Sequence, residues 1–361
     1  MKMRKNVCSF MISVVCFMTA ISGVSATSYD TSKINAAYSK VFEYYKNNNN
    51  LNNADKILAV ESLGLEAESN QFDTSSADLS STSLSKKIVT EVLLGVDPTE
   101  DKKTLESQID ENGNVEGSWG ASSDVWTLYA LYVTSSEKTN LIANKLNDEL
   151  AASSVCGYEW GGTYYADYDT TGWVIEGLAV VNKEKYATTI NKAIDYIKNN
   201  TTMTTTGWVT ADNVDTQSQV LEGMFAYDTN ALLNDSYTVH PVDCLLNTQL
   251  SDGSFPSGYN AEYTTAEVAK TLGTYKNGSV IIKAKKAYDK MMNPEQPDNT
   301  KPAQPTDTKK DSQSTNKVET TNQKTTSVKT GDETNVVIFV SLSMVSGGLF
   351  LVLRKEYERV H

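Results

Sequence analysis

Four stretches of the chain line up at almost constant intervals. "SSDVWTLYALYV" from Ser122, "DTTGWVIEGLAVV" from Asp169, "DTQSQVLEGMFAY" from Asp215 and "YTTAEVAKTLGTY" from Tyr263 start 47, 46 and 48 residues apart. A fainter fifth, "ADKILAVESLGL", starts at Ala54. In each, apolar residues fall at i, i+3, i+4 and i+7, the pattern of a helix with a buried face. Three of the four clear copies open on Asp or Ser and the fourth has Thr264 and Thr265 directly after its first residue, side chains that satisfy the free N–H groups of a first turn. Between them lie "TNLIANKLNDELAAS" from Thr139 and "KEKYATTINKAIDYIKNN" from Lys183, with a narrower apolar stripe and more charge, as outer helices should have. "SKINAAYSKVFEYYKNN" and "SLSKKIVTEVLLGVDP" extend the count to about twelve helices in about six pairs. A two-helix repeat of this period predicts an all-α stack or closed ring over residues 30–293.

The loops that enter the repeats share a further feature, Gly followed closely by an aromatic: "GSW" at Gly117–Trp119, "GWV" at Gly207–Val209 and "DGSF" at Asp252–Phe255. Gln249 precedes one of them closely and Gln108 another more loosely. This pattern resembles the repeat signature of the prenyltransferase and squalene-oxidase repeat family. "KKIVTEVLLGVDPTEDKKTLESQ" and "ADYDTTGWVIEGLA" also look like segments of its secreted bacterial members. The resemblance covers nearly all of residues 30–293. It implies an α/α toroid of about six inner and six outer helices, with the inner helices' positive N-terminal ends at one rim. The aromatics of the loops would gather there. The expected ligand-binding rim is Trp119, Asp124, Trp160, Tyr164, Tyr165, Asp167, Trp173, Trp208, Asp215, Phe255 and Tyr259, with Tyr158 and Tyr168 beside them.

Asp167-Tyr168-Asp169-Thr170 admits three readings. Cyclases of this fold protonate an alkene with an Asp-x-Asp-Asp motif, so Asp167 or Asp169 could serve as an acid, although the final carboxylate is missing here. Zinc-holding relatives use Asp, Cys and His, but here Asp243 and Cys244 are adjacent and His240 is the one histidine before the tail, a poor match to a three- or four-ligand site. Calcium at a carboxylate-rich rim is specified by no spacing. The third reading makes Asp169 the helix cap, helped by Thr170 or Thr171, as Asp215 and Thr216 would be one repeat later. Thioester relatives need a Gly-Cys-Gly-Glu-Gln run, which is absent. Corrinoid carriers share the toroid and add a small β-domain, for which "PEQPDNTKPAQP" leaves no room directly after it. The sequence thus points to a binding module without catalysis and without a cofactor. Its alternatives are an extracellular cyclase, transferase or lyase using Asp167 or Asp169, and corrinoid-type ligand binding.

The two ends read as export and anchoring. Lys2, Arg4 and Lys5 precede an apolar run from Val7 to Val24, and Val24-Ser25-Ala26 offers small residues for cleavage, so residues 1–26 are expected to be a signal peptide. Residues 294–329 are rich in Pro, Thr, Gln, Asn and Lys, a composition too polar to bury a core and expected to be a disordered wall-spanning linker. Residues 336–353 form an apolar run just long enough to cross a bilayer, and Arg354, Lys355 and Arg359 follow as a basic cytoplasmic tail. With Thr330-Gly331 ahead of it, the segment 327–361 resembles the sorting signals of sortase substrates in Gram-positive bacteria. That resemblance implies cleavage after Thr330, peptidoglycan attachment and transient membrane anchoring. Ser327-Val328-Lys329 stands where the usual leucine-proline opening would be.

The chain carries a net charge of −13, and arginine occurs only at positions 4, 354 and 359. Such a surface excludes nucleic acid as a partner and disfavours bidentate capture of phosphates. The expected partners are sortase, peptidoglycan and an extracellular ligand. Cys156 and Cys244 remain after loss of the leader, and Cys244 sits at a helical core position. A disulfide between them is open from sequence.

Overall fold

A computed structural model describes residues 29–48, 51–68, 80–200, 214–257 and 260–294. The leader, linker and sorting segment lie outside the described residues, as do Trp208, Tyr259, Thr330 and Gly331. The described part falls within one compact unit, residues 1–297, and is mostly helical. Its elements are α1 Thr31–Asn47, α2 Ala54–Ser62, α3 Ser81–Leu93, α4 Thr99–Ser107, α5 Ala121–Val133, α6 Thr139–Ser153, β1 Cys156–Trp160, β2 Thr163–Asp167, α7 Tyr168–Asn200, α8 Val214–Asn234, α9 Pro241–Leu246, α10 Ala261–Asn277 and α11 Val280–Met292. Two are really paired helices, because the backbone leaves helical geometry at Asn182 in α7 and Asp228 in α8. At both breaks the side chain accepts from the N–H three residues on, Asn182 from Lys185 and Asp228 from Ala231, so each restarts a helix as its own cap.

The expected helix pairs are present, and the repeat copies become α2, α5, the first half of α7, the first half of α8, and α10. Together with α3 they adjoin in succession: α2 touches α3, α3 touches α5, α5 touches α7, α7 touches α8, α8 touches α10, and α10 returns to α2. These helices are buried on most sides, Ser123 to Leu131 in α5 without a break, whereas α1, α4, α6 and α11 bury a single stripe. The close approach of α7 to α8 depends on glycine. A Cβ on Gly172 would stand 2.4 Å from the carbonyl oxygen of Gln219, and one on Gly223 would stand 2.3 Å from that of Gly172.

One antiparallel hairpin breaks the all-helical expectation. β1 and β2 pair Cys156 with Asp167 at the base and Trp160 with Thr163 at the tip, and Gly161-Gly162 turn the chain with φ of 57° and 77°. Two consecutive residues at positive φ form the primed turn whose twist suits a two-residue hairpin, which Gly-Gly provides without strain.

Candidate functional site

The hairpin, the loop before α5 and the start of α7 form one surface. The Glu159 N–H donates to the Trp119 carbonyl at 2.7 Å, laying the 117–120 loop along the free edge of β1. On its other edge, Gly157 lets β2 approach, since a Cβ there would sit 1.9 Å from the carbonyl oxygen of Tyr165. At the base, Thr171 clamps the hairpin to the helix: its hydroxyl accepts from the Cys156 N–H at 3.0 Å and donates to the Asp167 carbonyl at 2.7 Å. Thr265 and Phe255 repeat that clamp with an N–H to hydroxyl contact of 3.0 Å.

Residues 156, 158 and 160 share one face of the ribbon with their partners 167, 165 and 163. Tyr158 stacks on Tyr165 with centroids 5.5 Å apart, and Trp160 meets Trp119 at 5.5 Å. Tyr164 points to the other face and donates to Glu149 of α6 at 2.9 Å. These five aromatics are 36 to 44% exposed. They are five of the nine exposed large hydrophobic residues among the described residues, so the exposed apolar area is concentrated here rather than scattered.

The carboxylates behind this shelf have exchanged the roles expected from sequence. Asp167, not Asp169, caps α7: its Oδ1 accepts from the Thr170 N–H at 2.7 Å and its Oδ2 from the Thr170 hydroxyl at 2.9 Å. The physical reason is that β2 runs through Asp167 and the helix starts at Tyr168, which puts Asp169 already inside the first turn. Asp169 is half-buried. Burial, then the charges of Asp167 and Asp215, push its carboxyl up to about 7, against the hydrogen bond from Thr216. Burial also raises Asp167, with the Thr170 bonds opposing it.

Other expected rim residues are structural. Phe255 and Asp124 are fully buried. Asp124 pairs with Lys145 at 2.9 Å and accepts from the Ser118 hydroxyl at 2.6 Å, fixing the loop that carries Trp119. The loop carrying Phe255 is held against α1, where Gln249 donates to the Ala37 carbonyl at 3.0 Å. Asp215 is buried near Asp169, and Trp173 packs edge-on to Trp126 at 6.0 Å. Cys156 and Cys244 are both buried and form no disulfide, with the Cys156 thiol pushed up by burial. Among the described residues no group of three or more His, Cys, Asp or Glu side chains could hold a metal ion. An open groove of about 360 Å3 lies between α1 and α9, but its Lys33 is already tied to Asp243 at 3.0 Å.

The sequence reading missed a charged centre among the repeat helices. Tyr129, Glu176, Glu222 and Lys270 occupy one repeat position, and Trp126, Trp173, Gln219 and Glu267 the position one turn earlier. Lys270 reaches Glu267 at 3.0 Å and Glu222 at 3.8 Å. Its ammonium and that of Lys86 lie over the Trp126 ring at 5.5 and 4.5 Å, and Lys86 pairs with Asp55 at 2.9 Å. Glu176 accepts from Tyr129 at 3.0 Å and from Ser279, the cap of α11, at 2.6 Å. Burial works to strip the Lys270 proton, but the carboxylates of Glu267, Glu222 and Asp55 outweigh it and hold the ammonium above its ordinary range. Glu267 and Glu222 share this buried ammonium, and burial drives Glu222 well above the usual carboxylate range. Glu222 Oε2, Glu267 Oε1 and Gln219 Oε1 have no hydrogen-bond donor from the described residues, and a proton on Glu222 relieves that shortage.

No family model, no curated protein and no solved structure matches this chain.

Proposed function

We propose that the chain is an exported, wall-displayed binding module. Its repeat helices close into an α/α toroid, and its β1–β2 hairpin presents the ligand surface. The toroid reading is supported by the unbroken succession of α2, α3, α5, α7, α8 and α10 back to α2, with the less buried helices outside it. The binding reading rests on one observation, the gathering of Trp119, Tyr158, Trp160 and Tyr165 into an exposed shelf on one face of a hairpin pinned at both its edge and its base. Such rings bury well against a flat ligand face yet leave polar handles in water. Display on a cell wall is supported by the sequence of the two ends, with sortase acting at Thr330-Gly331.

A glycan, peptide and small-molecule screen tests this, with Trp160→Ala as control. The reading requires a ligand that saturates, persists unchanged, and loses at least fivefold affinity in the variant while circular dichroism stays the same. Ligands indifferent to Trp160→Ala would remove it.

A second reading is favoured by Asp169. A carboxyl raised to about 7 holds its proton near neutrality, as a general acid must. Asp167 is spent on the cap, so this reading puts the proton on Asp169 alone. Turnover of any bound ligand, abolished by Asp169→Asn, would replace the binding-only account.

A further inference from the structure

We propose that the outer edge of β2 pairs with the same edge of a second copy of this chain, joining two hairpins into one continuous sheet. This goes beyond the binding reading above, because it uses the edge of the hairpin and not its ring face. The pair that closes a two-residue turn exchanges hydrogen bonds, so Trp160–Thr163, Tyr158–Tyr165 and Cys156–Asp167 bond to each other. Gly157, Glu159, Tyr164 and Ala166 therefore turn their backbone groups outward. On β1 that edge is taken. The Glu159 N–H reaches the Trp119 carbonyl, and the Gly157 N–H is turned to the Glu149 carboxylate. On β2 it is open. Among the described residues no hydrogen bond reaches the backbone of Tyr164 or Ala166 from outside, and residues 163–166 are all exposed.

Open edges are normally guarded by Lys, Pro or a bulge. Thr163–Asp167, "TYYAD", carries none of these and pairs with β1 in unbroken register. It is also complementary to itself. Set antiparallel about Tyr165, Tyr164 faces the second copy's Ala166, and their outward N–H and carbonyl groups meet on both sides of the axis. Thr163 then faces the second copy's Asp167, so the one charge on the strand meets a hydroxyl and not its own like. Tyr165 faces its counterpart on the ring face. Each already stacks on Tyr158 at 5.5 Å, so the two tyrosine pairs run on into one row. A twofold contact of this kind is closed and recruits no third copy. The net charge of −13 on each chain opposes approach from a distance, and salt screens that opposition.

Cysteine cross-linking of the full-length protein tests the register. Tyr165→Cys puts a thiol where the twofold axis brings it opposite its own copy, at a cross-strand spacing that a disulfide spans. Cys156 and Cys244 are buried, and the wild type gives the background. The reaction is run under mild oxidation in about 0.5 M salt, where the screening length falls to about 4 Å. Tyr165→Cys should yield a reducible dimer. Thr163→Cys, whose thiols would stand well apart on either side of the axis, should yield about fivefold less or lower. Adding Ala166→Pro removes the outward N–H from both copies and should cut the Tyr165→Cys dimer by about fivefold or more. Adding Thr163→Glu instead sets a like charge opposite Asp167 and should weaken it without touching the backbone. Equal cross-linking from Thr163→Cys and Tyr165→Cys would mark chance encounters and overturn the pairing. A Tyr165→Cys dimer indifferent to both added substitutions would overturn it too. So would no dimer from Tyr165→Cys, whether the new thiol reacts with maleimide, which means an edge standing open, or does not, which means an edge covered by the protein's own chain.

Discussion

Replacing Lys270 by methionine removes the ammonium and keeps most of the volume. Lys270 is 3% exposed, with carboxylate oxygens at 3.0 and 3.8 Å. At an effective dielectric near 20, these distances correspond to gross attractions of about 5 and about 4 kcal/mol. Desolvation of the ammonium offsets several kcal/mol of that, so the expected net loss is about 3 to 5 kcal/mol, the range found when one partner of a buried ion cluster is deleted. The loss should depend on pH. Without Lys270, Glu176 and Glu222 lose the charge that opposes their upward shift, and their folded pKa values rise further above the unfolded value near 4.3. Stability tied to a raised carboxyl is full below the unfolded pKa and is lost as pH climbs through the folded one. Lys270→Met should therefore be most damaging at pH 8 and recover by about 1 to 2 kcal/mol at pH 5. Urea unfolding at both pH values, followed by far-ultraviolet circular dichroism, measures it. A deficit below about 1 kcal/mol, or one equal at both pH values, would show that the ammonium does not organise the centre.

Other outcomes follow from single contacts. Asp167→Ala should destabilise by about 1 kcal/mol through loss of the cap. Asp169→Asn should stabilise by about 1 kcal/mol at pH 8, where the native carboxylate is ionised beside Asp167 and Asp215, and do little at pH 5; thermal melts at the two pH values distinguish the two aspartates. Gly172→Ala should cost about 1 to 3 kcal/mol, because its Cβ meets the backbone of α8 and not a movable side chain, and urea midpoints will report it. Thr330→Ala should leave the protein in the membrane fraction instead of linked to peptidoglycan, read by fractionation after boiling in detergent.

Much of the helical layout was legible, since a repeated apolar period of helix type leaves few alternatives for Val125, Leu128, Ile175 or Leu221. The hairpin was equally legible and was overlooked. "YEWGGTYY" has β-favouring aromatics on either side of Gly-Gly, a hairpin signal that the neighbouring helix-start motif obscured. The cap was not legible. Asp167 and Asp169 are both plausible caps until it is known where β2 ends, and that is decided by pairing with Cys156 eleven residues back. The charged centre had a signal in Glu176 and Glu222, which hold the same place in adjacent repeats 46 residues apart. Their burial around Lys270 was not readable, because a glutamate in a helix usually faces water and only closure of α10 onto α2 encloses this one.

The aromatic shelf is tested most directly by hydrogen exchange of the full-length protein with and without the tightest ligand from the screen. The account predicts that amides of residues 156–167 and of the 117–120 loop exchange more slowly in the complex, by tenfold or more at saturation, while α1 and α9 are unchanged. Protection confined to the groove between α1 and α9, with the hairpin amides unmoved, would contradict it.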